Sequence, residues 1–258
     1  MDILALPHLG KEVHRRYDDL GIIQVYEDGN KRYLSFGTAD EQSCQLKAKP
    51  GQPQHGYARA MMASLCLLKP DQAVQQASVL GTGGGLMARC LFEQLPTTQV
   101  HTVDLRPAVI QIAHQYFGLP RDKRLTTHAK SAMDYLNACS TNSQGLLLSD
   151  LYLANGLDTR QLKPEFVSEC RRVVQNDGWL VLNLWKEHRE DGLFLPQLKA
   201  QFQTVLHSTT SDGNWIIWAC PNANAAPDKR GAQLICKRLS EQMGFNLWQV
   251  TKGFYRFF

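Results

Sequence analysis

Residues 78–86 read SVLGTGGGL, a short apolar run that ends in a cluster of glycines, and residues 101–105 read HTVDL. Glycine permits positive φ and lets the backbone approach a ligand closely, while the start of a following helix presents unpaired N–H groups. An acidic residue that ends the next strand can accept hydrogen bonds from ribose hydroxyls. A strand, a glycine turn, a helix and an acid in this order are typical of nucleoside-cofactor sites in α/β proteins.

This pattern predicts that the cofactor lies on Gly81, Gly83, Gly84, Gly85 and Asp104. Asp104 follows Gly83 at about the 20-residue separation that is expected of a nucleotide-binding βαβ unit. The dinucleotide pattern G-x-G-x-x-G is absent, which favours a single nucleoside over a dinucleotide. In the alternative interpretation, the glycines form only a tight turn and Asp104 is a solvated carboxylate.

The composition is that of an ordinary globular protein of 258 residues, of which 43% are hydrophobic and 20% are charged. A chain of this length can bury a large core as one α/β domain, with or without a small appendage. The formal net charge is +4, and the lysine and arginine residues are scattered without long runs. Nucleic acid is therefore not a predicted partner.

Seven cysteines are spread along the chain, and no two of them form a C-x-x-C pair. This usage favours free core thiols in a reducing compartment over a metal site or a disulfide framework. Neither the first 19 residues nor any later segment approaches the apolar run of a signal peptide or a membrane span. The sequence therefore predicts a cytoplasmic protein that binds neither a metal ion nor a membrane.

Two unequal parts are predicted, a small β-rich domain over residues 1–54 and a larger domain over residues 55–258. In the first part, residues 22–26 and 32–36 are β-rich runs on either side of a glycine turn, which predicts a hairpin. In the second part, we expect strands over 77–80, 99–104, 145–150, 178–185 and 214–219, and helices over 57–68, 85–94, 107–117, 131–138, 163–174 and 194–201. Repeated βα units predict an α/β fold with a mostly parallel central sheet and helices on both faces.

Five motifs follow one another along the chain: VLGTGGGL (79–86), VDLRP (103–107), YFGLP (116–120), LSD (148–150) and DGWLVLNL (177–184). Through these motifs the chain resembles the spermidine synthase family, from about residue 22 to residue 218, and a divergent branch of it most closely. Members of this family are polyamine aminopropyltransferases. The resemblance implies a Rossmann-like class I methyltransferase fold behind a small N-terminal β-hairpin domain.

The resemblance also implies a cofactor of the S-adenosylmethionine type. It is either decarboxylated S-adenosylmethionine, which leaves methylthioadenosine, or S-adenosylmethionine, which leaves S-adenosylhomocysteine. Asp104 keeps the acid that binds the ribose, whereas Gly83 stands where the family has an acid beside the cofactor. The family's Gly-Asp pair that recognises the adenine amino group falls near Lys130 and Ser131, and Ser131 can still accept one hydrogen bond.

Asp150 and Tyr57 are the catalytic residues that the resemblance implies. Asp150 is the first acid of a D-x-x-D segment that orients or deprotonates the attacking amine in the family, and Tyr57 is the tyrosine of a second family segment. An attacking amine must be neutral, so a nearby carboxylate or tyrosine has to accept its proton, and Tyr152 is a further candidate for that role. In the alternative interpretation, Asp150 caps the strand end or the following turn.

The acceptor pocket is where the chain departs most from the family. Leu153 replaces the second acid of the D-x-x-D segment, and residues 53–59, PQHGYAR, keep the tyrosine of their family segment but none of its acids. With Arg59 beside the pocket, a dicationic amine would lose its hydration without compensation. We therefore expect putrescine to be a poor acceptor and a less cationic or anionic acceptor to suit Arg59, unless Arg59 points outward into solvent.

Three functions fit the sequence. The first is aminopropyl transfer to a small-molecule acceptor, for which the family implies an amine, and the second is methyl transfer from S-adenosylmethionine on the same fold. The third is nucleoside binding without catalysis. Asp104 and Asp150 favour an enzyme of the transferase class. The resemblance further implies a homodimer, in which residues 22–26 extend a sheet across two subunits.

Overall fold

The structure is a computed structural model, and it describes residues 9–38, 41–69, 73–225, 229–247 and 255–256. Its first part is an antiparallel sheet of four strands, joined in sequence order. The strands are β1 (Lys11–Asp18), β2 (Gly21–Asp28), β3 (Lys31–Ser35) and β4 (Glu41–Leu46). The predicted hairpin corresponds to β2 and β3. The outer strands β1 and β4 are rich in polar residues, so they lack the apolar alternation that predicts a strand.

The second part is built around a large sheet. The strands of the second part are β5 (Gln76–Leu80), β6 (Gln99–Asp104), β7 (Leu125–Ala129), β8 (Gln144–Ser149), β9 (Tyr152–Leu153), β10 (Gly156–Leu157), β11 (Val174–Trp185), β12 (Thr204–Thr209), β13 (Asn214–Cys220) and β14 (Tyr255–Arg256). Of these, β9 and β10 form a separate small hairpin, and the other eight form the large sheet. The order across the large sheet is β14-β12-β13-β11-β8-β5-β6-β7. The five strands from β11 to β7 are parallel, and the other three continue the sheet in antiparallel fashion.

Seven α-helices accompany this sheet in the described part of the chain. They are α1 (Gly56–Met62), α2 (Leu86–Gln94), α3 (Pro107–Gln115), α4 (Ala132–Ala138), α5 (Pro164–Val173), α6 (Phe194–Gln201) and α7 (Lys229–Met243). Alternate strand residues face opposite sides of the sheet, so Val79 packs with α1 and α2 while Leu80 packs with α4, α5 and α6. The predicted α/β fold with a mostly parallel sheet and helices on both faces is confirmed.

The predicted helices match α1 to α6 to within a few residues, with one larger difference. The helix expected over 57–68 ends at Met62, and a short 3₁₀ turn continues from Ala63 to Cys66. The sequence pattern did not predict α7 or the strands β7, β12 and β14. None of the helices in the ranges that the structure describes combines the length and apolar character that a membrane span requires.

The four-stranded sheet packs against α2 and α3 of the second part. Ile23, Val25 and Leu34 extend from β2 and β3 into a shared hydrophobic cluster, where they are fully buried. Gln45 of β4 is buried as well, and its side-chain amide donates to the carbonyl oxygen of Phe117 at 2.7 Å. The two parts therefore share a core, while the boundary predicted between residues 54 and 55 stays a prediction.

A pair of half-buried histidines lies between the outer strands β6 and β7. The Nδ1 atom of His101 is 3.1 Å from the Nε2 atom of His128, and the Tyr135 ring lies against His128 with 4.9 Å between the ring centroids. Burial lowers the pKa of both imidazoles, and the positive charges of His101 and Lys130 lower the pKa of His128 further. The fold therefore favours the neutral form of both rings.

This pair predicts that the protein loses stability in mild acid. Because each folded-state pKa lies below the unfolded value of about 6.5, the contribution of the pair is complete above that value and is lost as the pH falls. We expect Tm to fall between pH 7.5 and 5.5, and to fall by about 2 °C less in the His128→Gln variant. His188→Gln, at a partly exposed histidine outside this pair, serves as the control. An unchanged pH dependence of Tm in His128→Gln would contradict the assignment.

Candidate active site

A cavity of about 610 Å³ opens at the carboxyl ends of β5, β6 and β8, which are neighbours in the large sheet. Ligands of open α/β sheets bind at this edge, and the volume lies in the range that accommodates small molecules. Six of the predicted site residues line the cavity: Tyr57, Gly81, Gly83, Asp104, Ser131 and Asp150. The structure thus brings most of the predicted site together from five different segments of the chain.

The glycines of the turn after β5 have two roles: Gly81 and Gly83 line the cavity, whereas Gly84 and Gly85 pack against other residues. At Gly81 the backbone φ is +95°, and a Cβ atom there would lie 2.1 Å from the carbonyl oxygen of Asp150, so only glycine fits. Gly84 and Gly85 do not line the cavity; a Cβ on Gly84 would press on Phe117, and one on Gly85 would press on Leu119. Cofactor contact through these two glycines stays a prediction.

Asp104 is held in place by backbone N–H groups. One carboxylate oxygen accepts from Thr82 at 3.1 Å and from Gly83 at 3.4 Å, and the other accepts from Arg106 at 2.9 Å. Burial raises the pKa of Asp104, and these three hydrogen bonds oppose that rise. A carboxylate oxygen has about two acceptor directions, so the oxygen that accepts from Arg106 keeps one for a ribose hydroxyl.

The small N-terminal sheet supports both sides of this turn. Ser43 of β4 accepts a hydrogen bond from the backbone N–H of Gly84 at 2.9 Å. The buried guanidinium of Arg106, two residues after Asp104, donates two hydrogen bonds to the Asp18 carboxylate at 2.9 and 2.7 Å. Such bidentate pairs fix geometry as well as charge. The loops that carry Gly84 and Asp104 are therefore fixed before any ligand binds.

Ser131 begins α4 and lines the cavity beside Lys130. Its hydroxyl accepts from the backbone N–H of Asp134 at 3.1 Å and donates to the carboxylate of the same residue at 2.7 Å. One acceptor direction of the hydroxyl oxygen remains, which is sufficient for a single hydrogen bond from an adenine amino group.

Asp150 follows β8 and is joined to two asparagines. Its Oδ1 atom accepts from the Asn183 amide at 2.8 Å, and the carbonyl oxygen of that amide accepts from Asn214 at 3.0 Å. Burial raises the pKa of Asp150 to about 6, while the Asn183 hydrogen bond lowers it. A carboxylate with a pKa near neutrality can take up and release a proton at physiological pH.

Tyr57 on α1 stacks on His55, with 5.4 Å between the ring centroids. Burial raises the pKa of Tyr57 well above its usual value, and the charge of nearby Asp150 raises it further. Burial also raises the pKa of Tyr152. Both phenols therefore stay protonated, which favours a role as hydrogen-bond donors over the proton-accepting role considered from the sequence.

Sequence reasoning missed three further carboxylates that line the cavity, of which Asp158 is paired with Arg160. The other two are Glu41 and Asp212. The Glu41 carboxylate lies 3.6 Å from the Nε2 atom of His55, and a Cβ atom on Gly56 would lie 2.7 Å from the Asp212 carboxylate. Both acids thus lie against the start of α1. No motif marks them, because one begins the polar strand β4 and the other lies in the turn between β12 and β13.

Arg59 is not among the residues that line the cavity, so of the two alternatives considered the structure agrees with the one in which its charge lies away from the acceptor. Its guanidinium donates to the carbonyl oxygen of Pro53 at 2.9 Å and lies over the ring of Phe245. The expectation that putrescine is a poor acceptor also depends on the absence of further acids around the pocket. Glu41 and Asp212 contradict that assumption.

The outer wall of the cavity is apolar and aromatic. Leu153, which replaces the second acid of the family segment, lines it together with Trp185 at the end of β11. Trp185 is 42% exposed although it is the largest side chain type in the protein. Gly156 has φ of +122°, and a Cβ there would lie 2.4 Å from the Trp185 ring, so the small hairpin approaches this ring closely.

Comparison with known proteins agrees with this architecture. No protein-family model matches the chain. A polyamine aminopropyltransferase of Neisseria meningitidis is 28% identical over 242 residues, which cover 90% of this chain and 88% of that protein. An eEF1A lysine and N-terminal methyltransferase of Mus musculus is 23% identical over 160 residues, which cover 57% of this chain and 23% of that protein.

Solved structures share the fold at lower sequence identity. A probable spermidine synthase from Corynebacterium glutamicum has a TM-score of 0.75 at 17% identity, covering 90% of this chain and 87% of its own. Human methyltransferase-like protein 13, solved in complex with SAH, has a TM-score of 0.65 at 18% identity, covering 74% and 93%. A spermidine synthase in complex with the transition state analogue AdoDATO has a TM-score of 0.66 at 13% identity, covering 90% and 88%. The resemblance to polyamine aminopropyltransferases on a methyltransferase-like fold is confirmed.

Proposed function

We propose that this chain is a spermidine synthase-like transferase that moves an aminopropyl group from decarboxylated S-adenosylmethionine to a primary amine. The observation that carries the proposal is Asp150, a half-buried carboxylate with its pKa raised to about 6, placed beside the glycine turn in a cavity with further acids. Similarity to polyamine aminopropyltransferases over 90% of the chain supports the same activity.

The residues present fit an adenosyl cofactor. Asp104 has one free acceptor direction for a ribose hydroxyl, and Ser131 has one for the adenine amino group. Gly81 and Gly83 provide a surface without side chains between these two polar groups and Asp150. One spermidine synthase neighbour was solved with AdoDATO and human methyltransferase-like protein 13 with SAH, which supports a cofactor of this class.

The charges around the cavity favour the decarboxylated form. Among the described residues that line it, Arg106 is paired with Asp18 and Arg160 is paired with Asp158. Lys130 adjoins Ser131, at the end where we place the adenine. At the Asp150 end, the carboxylate of S-adenosylmethionine would therefore be repelled by acidic side chains. The aminopropyl ammonium of the decarboxylated form would be attracted by the same acids.

Bound decarboxylated S-adenosylmethionine supplies a carbon made electrophilic by its sulfonium. Asp150, ionised above its pKa, accepts a proton from the acceptor ammonium and leaves a neutral amine directed at that carbon. The new N–C bond forms as the C–S bond breaks, and methylthioadenosine is released. Tyr57 donates a hydrogen bond that orients the acceptor, and the Asn183 hydrogen bond keeps the Asp150 carboxylate turned toward the cavity.

We further propose that the acceptor is an alkyl diamine, which revises the expectation from the sequence. Glu41 and Asp212 lie at the start of α1, close to Tyr57, and can bind the ammonium group that does not react. A second cation then gains a charge-assisted hydrogen bond in a partly desolvated site, worth about 1.5 to 3 kcal/mol. Leu153 and Trp185 accommodate the methylene chain on the outer wall.

Steady-state release of methylthioadenosine with matched amines tests this assignment. We expect putrescine to exceed butylamine in kcat/KM by about 10-fold or more, because only the diamine has the second ammonium. In the Asp212→Asn variant this preference should shrink while turnover of butylamine stays the same. Equal use of the two amines by the wild-type protein would contradict the diamine, and no release with any amine would contradict aminopropyl transfer itself.

Methyl transfer from S-adenosylmethionine is the second candidate function. Leu153 in place of the second family acid favours it, as does the similarity to an eEF1A lysine and N-terminal methyltransferase. The two functions differ in the cofactor that binds. Tighter binding of S-adenosylhomocysteine than of methylthioadenosine in calorimetry would favour methyl transfer.

The homodimer and the cytoplasmic location remain proposals. Residues 22–26 were expected to extend a sheet across two subunits, but they lie in β2, which is paired on one side with β1 and on the other with β3, so this part of the prediction is wrong. β1 is instead an outer strand of the small sheet, and the exposed side chains near it include Val13, Tyr17 and Leu20. Pairing with a second copy along this strand would cover its free edge, as exposed strand edges in proteins generally require.

A further inference from the structure

Two buried cysteines meet between distant parts of the chain. The Sγ atoms of Cys66 and Cys236 are 2.7 Å apart, although 170 residues separate them in sequence. Cys66 ends the 3₁₀ turn that follows α1, and Cys236 lies in the middle of α7. Both side chains are fully buried in the hydrophobic core. At this distance only a small adjustment separates the two thiols from a covalent bond.

Further contacts join the same two regions. The side-chain amide of Gln52, four residues before α1, donates to the carbonyl oxygen of Gly244 at 2.8 Å, just after α7. The Arg59 guanidinium of α1 lies 5.3 Å from the ring centroid of Phe245. The turn after α7 therefore contacts the segment around α1, which carries Tyr57.

We infer that Cys66 and Cys236 are a modification site, at which a small disulfide oxidant converts the two thiols into a disulfide that fastens α7 to the α1 segment. The thiolate of one cysteine attacks the oxidant and forms a mixed disulfide, with release of one small thiol. The second cysteine then displaces the other small thiol and closes the Cys66–Cys236 bond. Two electrons and two protons pass to the oxidant, which leaves as two thiols.

Burial makes this reaction depend on movement of α7. Thiols without solvent exposure are inert, so the oxidant reaches them only when the helix opens locally. α7 lies at the surface, with Leu234 65% exposed, and its opening does not require unfolding of the central sheet. The disulfide therefore forms slowly in the native protein and then prevents the opening that allowed it. In a reducing compartment such bonds are transient or respond to oxidants.

The experiment oxidises the folded wild-type protein with 2-hydroxyethyl disulfide, removes the oxidant, and alkylates free thiols in denaturant. We expect five of the seven cysteines to be alkylated and a peptide that links Cys66 to Cys236. Because the bond closes a long loop, Tm should rise by about 5 °C or more and return after dithiothreitol. Cys170→Ala, at a fully buried cysteine elsewhere in the core, should form the same bond.

Alkylation of all seven cysteines after oxidation would overturn the inference, as would a mixed disulfide that persists on one of the two, or a linked peptide of different composition. Cys236→Ala should alkylate at every remaining cysteine and show no rise in Tm on oxidation. The peptide map of the wild-type protein decides the question even where this variant folds poorly.

Discussion

Replacing Asp104 by alanine should weaken the binding of methylthioadenosine by about 100-fold, as measured by isothermal titration calorimetry. A hydrogen bond from a ribose hydroxyl to a carboxylate contributes about 1.5 to 3 kcal/mol, which corresponds to about 10-fold to 150-fold in affinity. The substitution also removes the acceptor that holds the N–H groups of Thr82, Gly83 and Arg106. Without these hydrogen bonds the glycine turn is less ordered in the free protein, and ordering it on binding reduces the binding free energy.

A matched control separates these effects from general loss of structure. Asp122 makes the same local contact, since its carboxylate accepts from the backbone N–H two residues ahead, at Arg124, but it does not line the cavity. Asp122→Ala should leave the affinity for methylthioadenosine within about twofold of wild type. Asp104→Asn, which keeps one acceptor oxygen, should fall between wild type and Asp104→Ala. Unchanged affinity in Asp104→Ala would place the ribose elsewhere.

The Asp150→Asn variant should lose about 100-fold or more in kcat for methylthioadenosine release, because an amide cannot accept the proton of the acceptor ammonium. Affinity for methylthioadenosine should stay near the wild-type value, since that compound carries no amine for Asp150 to bind. In the wild-type protein, kcat should decline as the pH falls through about 6, where Asp150 becomes protonated.

Stability provides an independent check on the same carboxylate. A folded-state pKa above the unfolded value of about 3.9 means that Asp150 stabilises the fold most at low pH and that this contribution is lost as the pH rises through about 6. Asp150→Asn should therefore be at least as thermostable as wild type at pH 8, although it is nearly inactive. Asn183→Ala should shift the acidic limb of kcat to higher pH, because it removes the hydrogen bond that lowers the Asp150 pKa. A wild-type rate in Asp150→Asn would exclude Asp150 as the proton acceptor.

Sequence reasoning found those parts of the fold whose signal is local. The glycine turn, the acid after β6 and the apolar strands of the parallel sheet each fit within a few residues, and the structure places them as expected. β4 was missed because Ser43 and Gln45 are buried polar residues. Their partners, Gly84 and Phe117, are more than 40 residues away, and no local pattern shows them. β7 and β12 likewise consist largely of polar residues.

The candidate site was predicted in one half and not in the other. Residues on the nucleoside side follow sheet strands, where spacing along the chain predicts position in space. The acids on the acceptor side are Glu41, at the start of β4, and Asp212, in the turn between β12 and β13, and they meet at α1 only in the folded protein. Arg59 shows the same limit, because helical periodicity does not reveal that α7 and the turn after it supply Phe245 as its neighbour.

The core shared by the small sheet and α3 also constrains how the chain acquires its structure during synthesis. The ribosome releases β1 to β4 before α3, so the cluster that covers the side chains of Ile23, Val25 and Leu34 is incomplete until α3 has emerged. Until then the nascent sheet displays an apolar surface and two free strand edges, which is the state in which chains associate wrongly. The small sheet is thus synthesised before the helix that completes its core, and the yield of folded protein in a cell depends on protection during that interval.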